Sequence, residues 1–219
     1  MAKLMQIPQI AIGGGEPSLY PEFIRDFSAK CKNSGIIVNV TTNGSNINPS
    51  TMSCFQNVEM VSLSIDAEKV HGYEDLACLF EKMDLLKKHG IKVGANILLM
   101  KKNGFDLFSL VNLVRSYADF IYILQKKPSD VENLAELKKE LLLLSSLVKS
   151  IYVDDSLQLA FKHKTACGRG TEFISIDPKG GVSACSFDKP FAFLENANEL
   201  AEIVERTYPF KKTVTCPFI

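Results

Sequence analysis

Gln9-Ile-Ala-Ile-Gly-Gly-Gly-Glu-Pro17 is the stretch on which the reading of this chain turns. Its first half is a short apolar run with the composition of a fully buried strand. Its second half replaces side chains with three consecutive glycines before a carboxylate and a proline. Glycine lets the backbone come close to a ligand and take up dihedrals closed to other residues, while Pro17 stops the strand and leaves Glu16 displayed at the break. A strand whose carboxyl end opens onto a ligand is one reading. A tight strand-to-helix turn is the other, because glycine clusters alone are weak motifs.

Strand and helix patterns alternate outward from this stretch. Pro21 to Asn33 carries Phe23, Ile24 and Phe27 on one face, places Pro21 where a first helical turn tolerates it, and stops before Gly35. Ile36 to Val40 is a second β-branched strand running into a polar turn, Thr41-Thr-Asn-Gly44, and Asn48-Pro-Ser50 starts a short helix. In a third strand, Val58 to Asp66, Val61, Leu63 and Ile65 alternate with Ser62, Ser64 and Asp66, which predicts two faces of different polarity. Leu76, Leu79, Phe80, Met83 and Leu86 recur at helical spacing, with Lys87, Lys88 and His89 at the negative end of the helix dipole and Gly90 as the stop. Ile91 to Leu99 is a strand, Phe105 to Tyr117 a helix and Phe120 to Leu124 a strand. After Pro128 a long helix aligns Val131, Leu134, Leu137, Leu141 and Leu144. This alternation predicts an α/β fold, a parallel sheet under helical cover, either doubly wound or curled into a barrel.

Parallel sheets bind ligands at the carboxyl ends of their strands. Gly13 to Pro17 ends the first strand, Thr41 to Gly44 the second and Ser64 and Asp66 the third, while Asn96 lies in the fourth. Each residue alone reads as a turn, a cap or a satisfied backbone group. Together, four polar or glycine-rich ends on one edge predict the lining of a pocket for a small polar ligand.

The ordered series resembles the radical S-adenosylmethionine enzymes. Gly13-Gly-Gly-Glu-Pro17 is similar to that family's glycine-glycine-glutamate motif. Val40-Thr-Thr-Asn-Gly44, Val61-Ser-Leu-Ser-Ile-Asp66 and Val93-Gly-Ala-Asn-Ile97 are similar to the strand endings that follow it. The resemblance implies a partial (β/α) barrel over residues 1–149. It implies that Gly14, Gly15 and Glu16 handle the amino end of S-adenosylmethionine, with Thr41 or Thr42, Ser64 and Asn96 near its carboxylate and ribose. It also implies a C-x3-C-x2-C loop holding a 4Fe-4S cluster, and here the chain departs from the family, because no cysteine precedes Cys31 and the pattern occurs nowhere. The first strand-helix unit is therefore expected to be missing, through a fragment, a late start or a remnant, and no residue is assigned a catalytic role.

Residues 150–219 change character, to short runs at Ser150 to Asp154 and Leu157 to Phe161. Phe173 to Ile176 and Gly181 to Ala184, joined by Asp-Pro-Lys-Gly, read as a hairpin flanked by Cys167 and Cys185. With Cys216 these resemble the twitch or SPASM extension, which implies an auxiliary 4Fe-4S cluster on Cys167, Cys185 and Cys216. His163 as a fourth ligand would suit zinc as well. Cys31, Cys54 and Cys78 read as small core residues, His89 as a helix-end residue and His71 as a loop or cap residue.

Composition narrows the class. The 219 residues are 46% hydrophobic and 23% charged, enough for one sizeable core, and 25 basic against 25 acidic residues leave no net field for nucleic acid or an anionic membrane. No run reaches the roughly 20 apolar residues of a membrane span, and Met1 to Pro8 is too short for a secretory signal. Leu141 to Leu144 reads as part of a core-facing helix. Six cysteines at this length do not make a dense disulfide framework, so reduced thiols in a cytoplasmic protein are expected. Three functions stay open: a radical S-adenosylmethionine enzyme acting on a peptide or small metabolite and served by an electron donor; a non-catalytic remnant that binds a small ligand or a metal; and, third, an ordinary barrel lyase or isomerase, which lacks an evident acid-base pair.

Overall fold

The computed structural model describes residues 7–99, 106–127, 133–170, 172–196 and 198–207, and they fall into two compact units. The larger contains residues 7–126 and 133–154, in which six strands form one parallel sheet in sequential order: β1 (Gln9–Ile12), β2 (Ile37–Thr42), β3 (Met60–Asp66), β4 (Lys92–Leu99), β5 (Phe120–Gln125) and β6 (Ile151–Val153). Helices α1 (Pro21–Asn33), α2 (Tyr73–Lys88), α3 (Leu107–Val114) and α4 (Leu134–Leu147) fill the crossovers.

Period-two alternation sorts the strand side chains. Val38, Val40 and Thr42, Val61, Leu63 and Ile65, Val93, Ala95, Ile97 and Leu99, and Ile121 and Ile123 are all 2% exposed or less. This is the helix-covered face: α1 packs on β2, α2 on β3 and β4, and Leu63 and Leu79 approach the same point beside Gly44. The alternate positions, Asn39, Thr41, Asp66, Asn96, Leu98, Tyr122 and Leu124, are half-buried, and Ser64 and Tyr152 are exposed. The register runs Ser64 to Asn96 to Tyr122 to Tyr152, so these four form one row across the second face.

Local chemistry explains the boundaries. Pro21 opens α1, and α2 closes where Gly90, at φ +75°, donates to Lys87 O at 2.9 Å while Ile91 N–H reaches Leu86 O at 3.1 Å. The Asp106 carboxylate accepts from Ser109 N–H at 2.9 Å and that of Glu140 from Phe108 N–H at 3.1 Å, capping α3.

Several elements differ from the sequence expectation. β1 is not fully buried: Gln9 and Ala11 are exposed and Ile10 and Ile12 half-buried, because among the described residues β1 pairs only with β2. Thr41 and Thr42 belong to β2 itself rather than to the turn after it, and Asn48-Pro-Ser50 leads into a short 3-10 turn, Met52–Phe55. On α4 Leu141 and Leu144 are buried, whereas Leu134 and Leu137 are half-buried; Val131 lies outside the described residues. Cys31 and Cys54 are core residues, but Cys78 is exposed.

Gly94 on the sheet's second face packs closely on Ser62 of β3. A Cβ there would strike the Ser62 hydroxyl and lie 3.2 Å from Ser62 Cβ. Gly94→Val is expected to cost about 1–3 kcal/mol through overpacking, seen as a lower urea midpoint at unchanged slope.

The second unit contains α5 (Asp155–Ala160), a three-stranded antiparallel sheet of β7 (Ser175–Ile176), β8 (Gly181–Ser183) and β9 (Ala192–Phe193), and α6 (Glu199–Thr207). Leu157 to Ala160 is helical rather than a short extended run. The hairpin turns where its sequence predicts: the Asp177 carboxylate accepts from Lys179 N–H at 2.7 Å and Gly181 N–H at 2.8 Å, and Gly180 sits at φ +82°.

Candidate functional site

The glycine loop after β1 is held by conformation rather than by crowding. Gly14 and Gly15 have φ of +78° and +54°, where a side chain is strained, yet a Cβ at any of Gly13, Gly14 and Gly15 would meet nothing within 4 Å among the described residues. The described residues therefore leave this backbone uncrowded, as a ligand cradle requires. Glu16 follows in extended conformation, and its carboxylate caps the 3-10 turn Pro17–Leu19 and reaches the end of β2. Oε1 accepts from Ser18 N–H at 2.9 Å and from the Thr42 hydroxyl; Oε2 accepts from Asn43 N–H at 2.7 Å. Thr42 Oγ1 in turn accepts from Gly44 N–H at 2.9 Å. Asn46 ties the same region together, donating Nδ2 to Ser18 O at 2.8 Å and its N–H to Ser18 Oγ at 3.2 Å. The end of β1, the 3-10 turn Pro17–Leu19 and the end of β2 are thus joined through one carboxylate.

Burial alone would raise the Glu16 carboxyl. Its hydrogen bonds from Thr42, Ser18 and the Asn43 backbone outweigh that, and hold it below its ordinary value as a carboxylate. A carboxylate has roughly four lone-pair sites; among the described residues three donors engage Glu16.

β2 supplies both candidate threonines, and alternation separates them. Thr42, 2% exposed, is committed to Glu16 on the helix-covered side, whereas Thr41 falls on the opposite face with Asn39, Ser64 and Asn96. Asn39 Oδ1 and Asn96 Oδ1 are both buried without a hydrogen-bond partner among the described residues. Buried acceptors left open in this way ask for a donor. Asp66, at the end of β3, pairs with Lys69 at 2.6 Å. Asn39, Ser18, the Asn43 backbone and Tyr122 were not singled out by the sequence reading. Asn39 alone carried a signal, as a polar residue two positions before Thr41 in an otherwise β-branched run.

In the smaller unit Cys167 and Cys185 are half-buried and His163 is exposed, with its ring edge-on to Phe161 at 6.1 Å. Gly168 N–H donates to Asp155 Oδ2 at 3.0 Å, and Asp155 Oδ1 pairs with Lys164 at 2.7 Å. Burial would raise the Asp155 carboxyl, but these bonds and the charges of Lys164 and Lys127 bring it below the ordinary value. Cys216 lies outside the described residues, and among those described no three His, Cys, Asp or Glu side chains gather as a metal group.

Residues 1–114 match the family model described as the radical SAM superfamily, just over half of the 219-residue chain. The chain belongs to the radical SAM superfamily. Among solved structures it is similar to Streptococcus suis SuiB bound to S-adenosylmethionine, at 14% identity and TM-score 0.67 over 93% of this chain and 54% of that one. A second SuiB structure, also at 14%, gives TM-score 0.69 over 96% of this chain and 57% of that one. A domain of the pyruvate-formate lyase-activating enzyme from Bacteroides vulgatus matches at 15% identity and TM-score 0.51, covering 66% of this chain and 97% of that one. The chain thus spans little more than half the length of SuiB. None of the curated proteins compared with it matches. These likenesses show the fold, a partial radical SAM barrel of six curled parallel strands.

The superfamily match does not test the roles of the strand-end residues, and the given sequence carries no C-x3-C-x2-C loop. The six cysteines stand at positions 31, 54, 78, 167, 185 and 216, and no spacing among them makes C-x3-C-x2-C. The residues of this chain do not fit a radical-generating cluster. At the smaller unit the two described thiols, Cys167 and Cys185, are of the donor type that an iron-sulfur cluster or zinc takes.

Proposed function

We propose that this chain is the S-adenosylmethionine-binding part of a radical SAM protein, with the ligand seated at the carboxyl ends of β1 to β4. The observation that carries this reading is the Glu16 carboxylate, fixed by three donors next to a glycine backbone that the described residues leave uncrowded. Glu16 and the Gly14 and Gly15 carbonyls take the ammonium of the methionine moiety. Thr41, Ser64 and Asn96 offer hydroxyls and an amide to its carboxylate and ribose, and the open acceptors of Asn39 and Asn96 receive ribose hydroxyls. Thr42 acts by holding Glu16 in place. The similarity of the fold to SuiB bound to S-adenosylmethionine supports the same ligand.

Cys167, Cys185 and Cys216 form the metal site of this reading. When bound, an auxiliary 4Fe-4S cluster would supply electron transfer or a coordination position, and zinc is the alternative occupant. The substrate is a small metabolite or a peptide, the protein is cytoplasmic, and an electron donor is its partner. Among the described residues no helix is long and apolar enough to cross a membrane.

Calorimetry with S-adenosylmethionine on anaerobically purified chain is expected to show one saturable event per chain; no heat across a millimolar titration would remove the reading. A second reading, a non-catalytic module that keeps the pocket, is favoured by the lack of a C-x3-C-x2-C pattern. Both readings expect one metal site at most on this chain, so the reading frame upstream of Met1 separates the two: an in-frame C-x3-C-x2-C supports the first, and a stop codon with no alternative start supports the module.

A further inference from the structure

Resting on the strand-end reading of S-adenosylmethionine, we infer that Tyr122 and Tyr152 form an aromatic platform for the second ligand, the substrate, and that this substrate carries an aromatic ring with a hydroxyl or amino group. The register sets Ser64, Asn96, Tyr122 and Tyr152 side by side on β3, β4, β5 and β6, across the second face of the sheet. Neighbouring strands lie about 4.8 Å apart, and the two tyrosine rings stack with 5.3 Å between centroids and 23° between planes. Phe120, two residues before Tyr122 on β5, adds a third ring, tilted at 6.2 Å from Tyr152. Leu98 and Leu124, both half-buried and paired in register, follow Asn96 and Tyr122 at the next position on the same face.

A cross-strand pair of rings also stabilises a sheet by packing alone. The surroundings of this pair point further. Tyr152 is 47% exposed, so its ring keeps open surface. Neither phenol oxygen takes part in a hydrogen bond among the described residues, whereas a tyrosine that packs its ring usually finds a partner for its hydroxyl. Burial, and after it the neighbouring Tyr152, pushes the Tyr122 phenol above its ordinary value, so it stays protonated and able to donate. Next in the row, the buried Asn96 Oδ1 has no partner among the described residues. Aromatic surface and unpaired polar atoms therefore lie side by side, as the lining of a small-molecule site requires.

The platform lies beyond S-adenosylmethionine as placed above. Asn96 is the last residue given to that molecule, and Tyr152 stands two strands further along the row, roughly 10 Å away. A ring laid on the tyrosines would thus sit beside the ribose end of the bound molecule. Its face meets the tyrosine rings, and a hydroxyl or amino group on it reaches a phenol oxygen.

The test uses the whole anaerobically purified chain, saturated with S-adenosylmethionine, and follows two probes by ligand-observed NMR: p-cresol and its ring-saturated counterpart, methylcyclohexanol. p-Cresol is expected to bind saturably and more tightly than methylcyclohexanol. Tyr152→Leu, at an exposed position, is expected to fold, to keep its affinity for S-adenosylmethionine, and to bind p-cresol about 2- to 12-fold more weakly, the range of one aromatic pair. Tyr152→Phe keeps the ring and is expected to bind p-cresol better than the leucine variant does. A Tyr152→Leu chain that binds p-cresol as well as the unsubstituted one would overturn the inference. So would p-cresol that binds no better than methylcyclohexanol. A leucine variant whose loss falls on S-adenosylmethionine instead would also overturn it, because the platform would then serve adenine. Absence of heat with S-adenosylmethionine appears before any variant is made and removes the strand-end reading itself, whereas the other outcomes count against the platform alone.

Discussion

Phe55→Ala is expected to destabilise the sheet unit by about 3–5 kcal/mol, the usual cost of emptying an aromatic site in a close-packed core. Phe55 has no exposed surface, and its 3-10 turn is the surface on which α1 packs, where Ile24 is equally buried. A loss of that size is a large share of the roughly 5–15 kcal/mol that holds a domain folded. The urea midpoint should drop steeply with little change in slope. Leu143→Ala, on the exposed side of α4 at 54% accessibility, serves as the control; it should move stability by no more than about 0.5 kcal/mol. The effect should also reach the ligand site. α1 begins four residues after Pro17, and the Ser18–Asn46 bonds hold the intervening turn. Equal midpoints for the two variants would mean that α1 does not depend on this contact.

The second large effect is expected at Glu16. Glu16→Ala removes the acceptor proposed for the ammonium, a charged hydrogen bond of about 1.5–3 kcal/mol, which corresponds to a roughly 10- to 150-fold weaker S-adenosylmethionine affinity by calorimetry. A strand-end carboxylate displayed to solvent could be removed with the fold intact. The structure makes Glu16 half-buried and the receiver of three donors, so the alanine variant also releases the Ser18 and Asn43 N–H groups and the Thr42 hydroxyl, and some loss of stability must accompany the loss of affinity. The pH dependence follows from the direction of the shift. Folded Glu16 binds its proton less readily than an unfolded glutamate of ordinary value 4.5. Its contribution is therefore complete above that value and disappears as pH falls through the lower folded one. Glu16→Gln should flatten the acid limb of a stability-pH curve; an unchanged limb would show that the carboxylate is not held as described.

The parallel alternation was legible because its punctuation is chemical. Pro21 and Gly90 bound their helices through fixed φ and positive φ, and those constraints act wherever the chain goes. The polar strand ends were legible as a set for a similar reason, since only an opening explains so many there. Which threonine does what was not legible, because a shift of one residue in a strand inverts the face. Composition cannot show where β2 ends, and it ends at Thr42. The exposure of β1 was equally hidden, since an apolar run does not say how many neighbours it has. On α4 the expected stripe is covered only in its second half, at Leu141 and Leu144, while Leu134 and Leu137 are half-buried; tertiary packing decides how far along the helix the cover reaches. Asn39 became visible as a site residue only when its orphaned acceptor was seen beside that of Asn96.

The Thr42 hydroxyl donates a hydrogen bond to Glu16 and accepts one from Gly44 N–H, at 2% exposure. In evolutionary terms that leaves it few neighbours in sequence space. Serine preserves both bonds; valine preserves the shape and breaks both. A lineage that changes Glu16 has no further use for the hydroxyl, and one that loses the hydroxyl leaves the carboxylate loose. Positions 16 and 42, 26 residues apart in the chain, are therefore expected to drift together or stay still. A set of natural variants in which they change independently would count against a shared purpose.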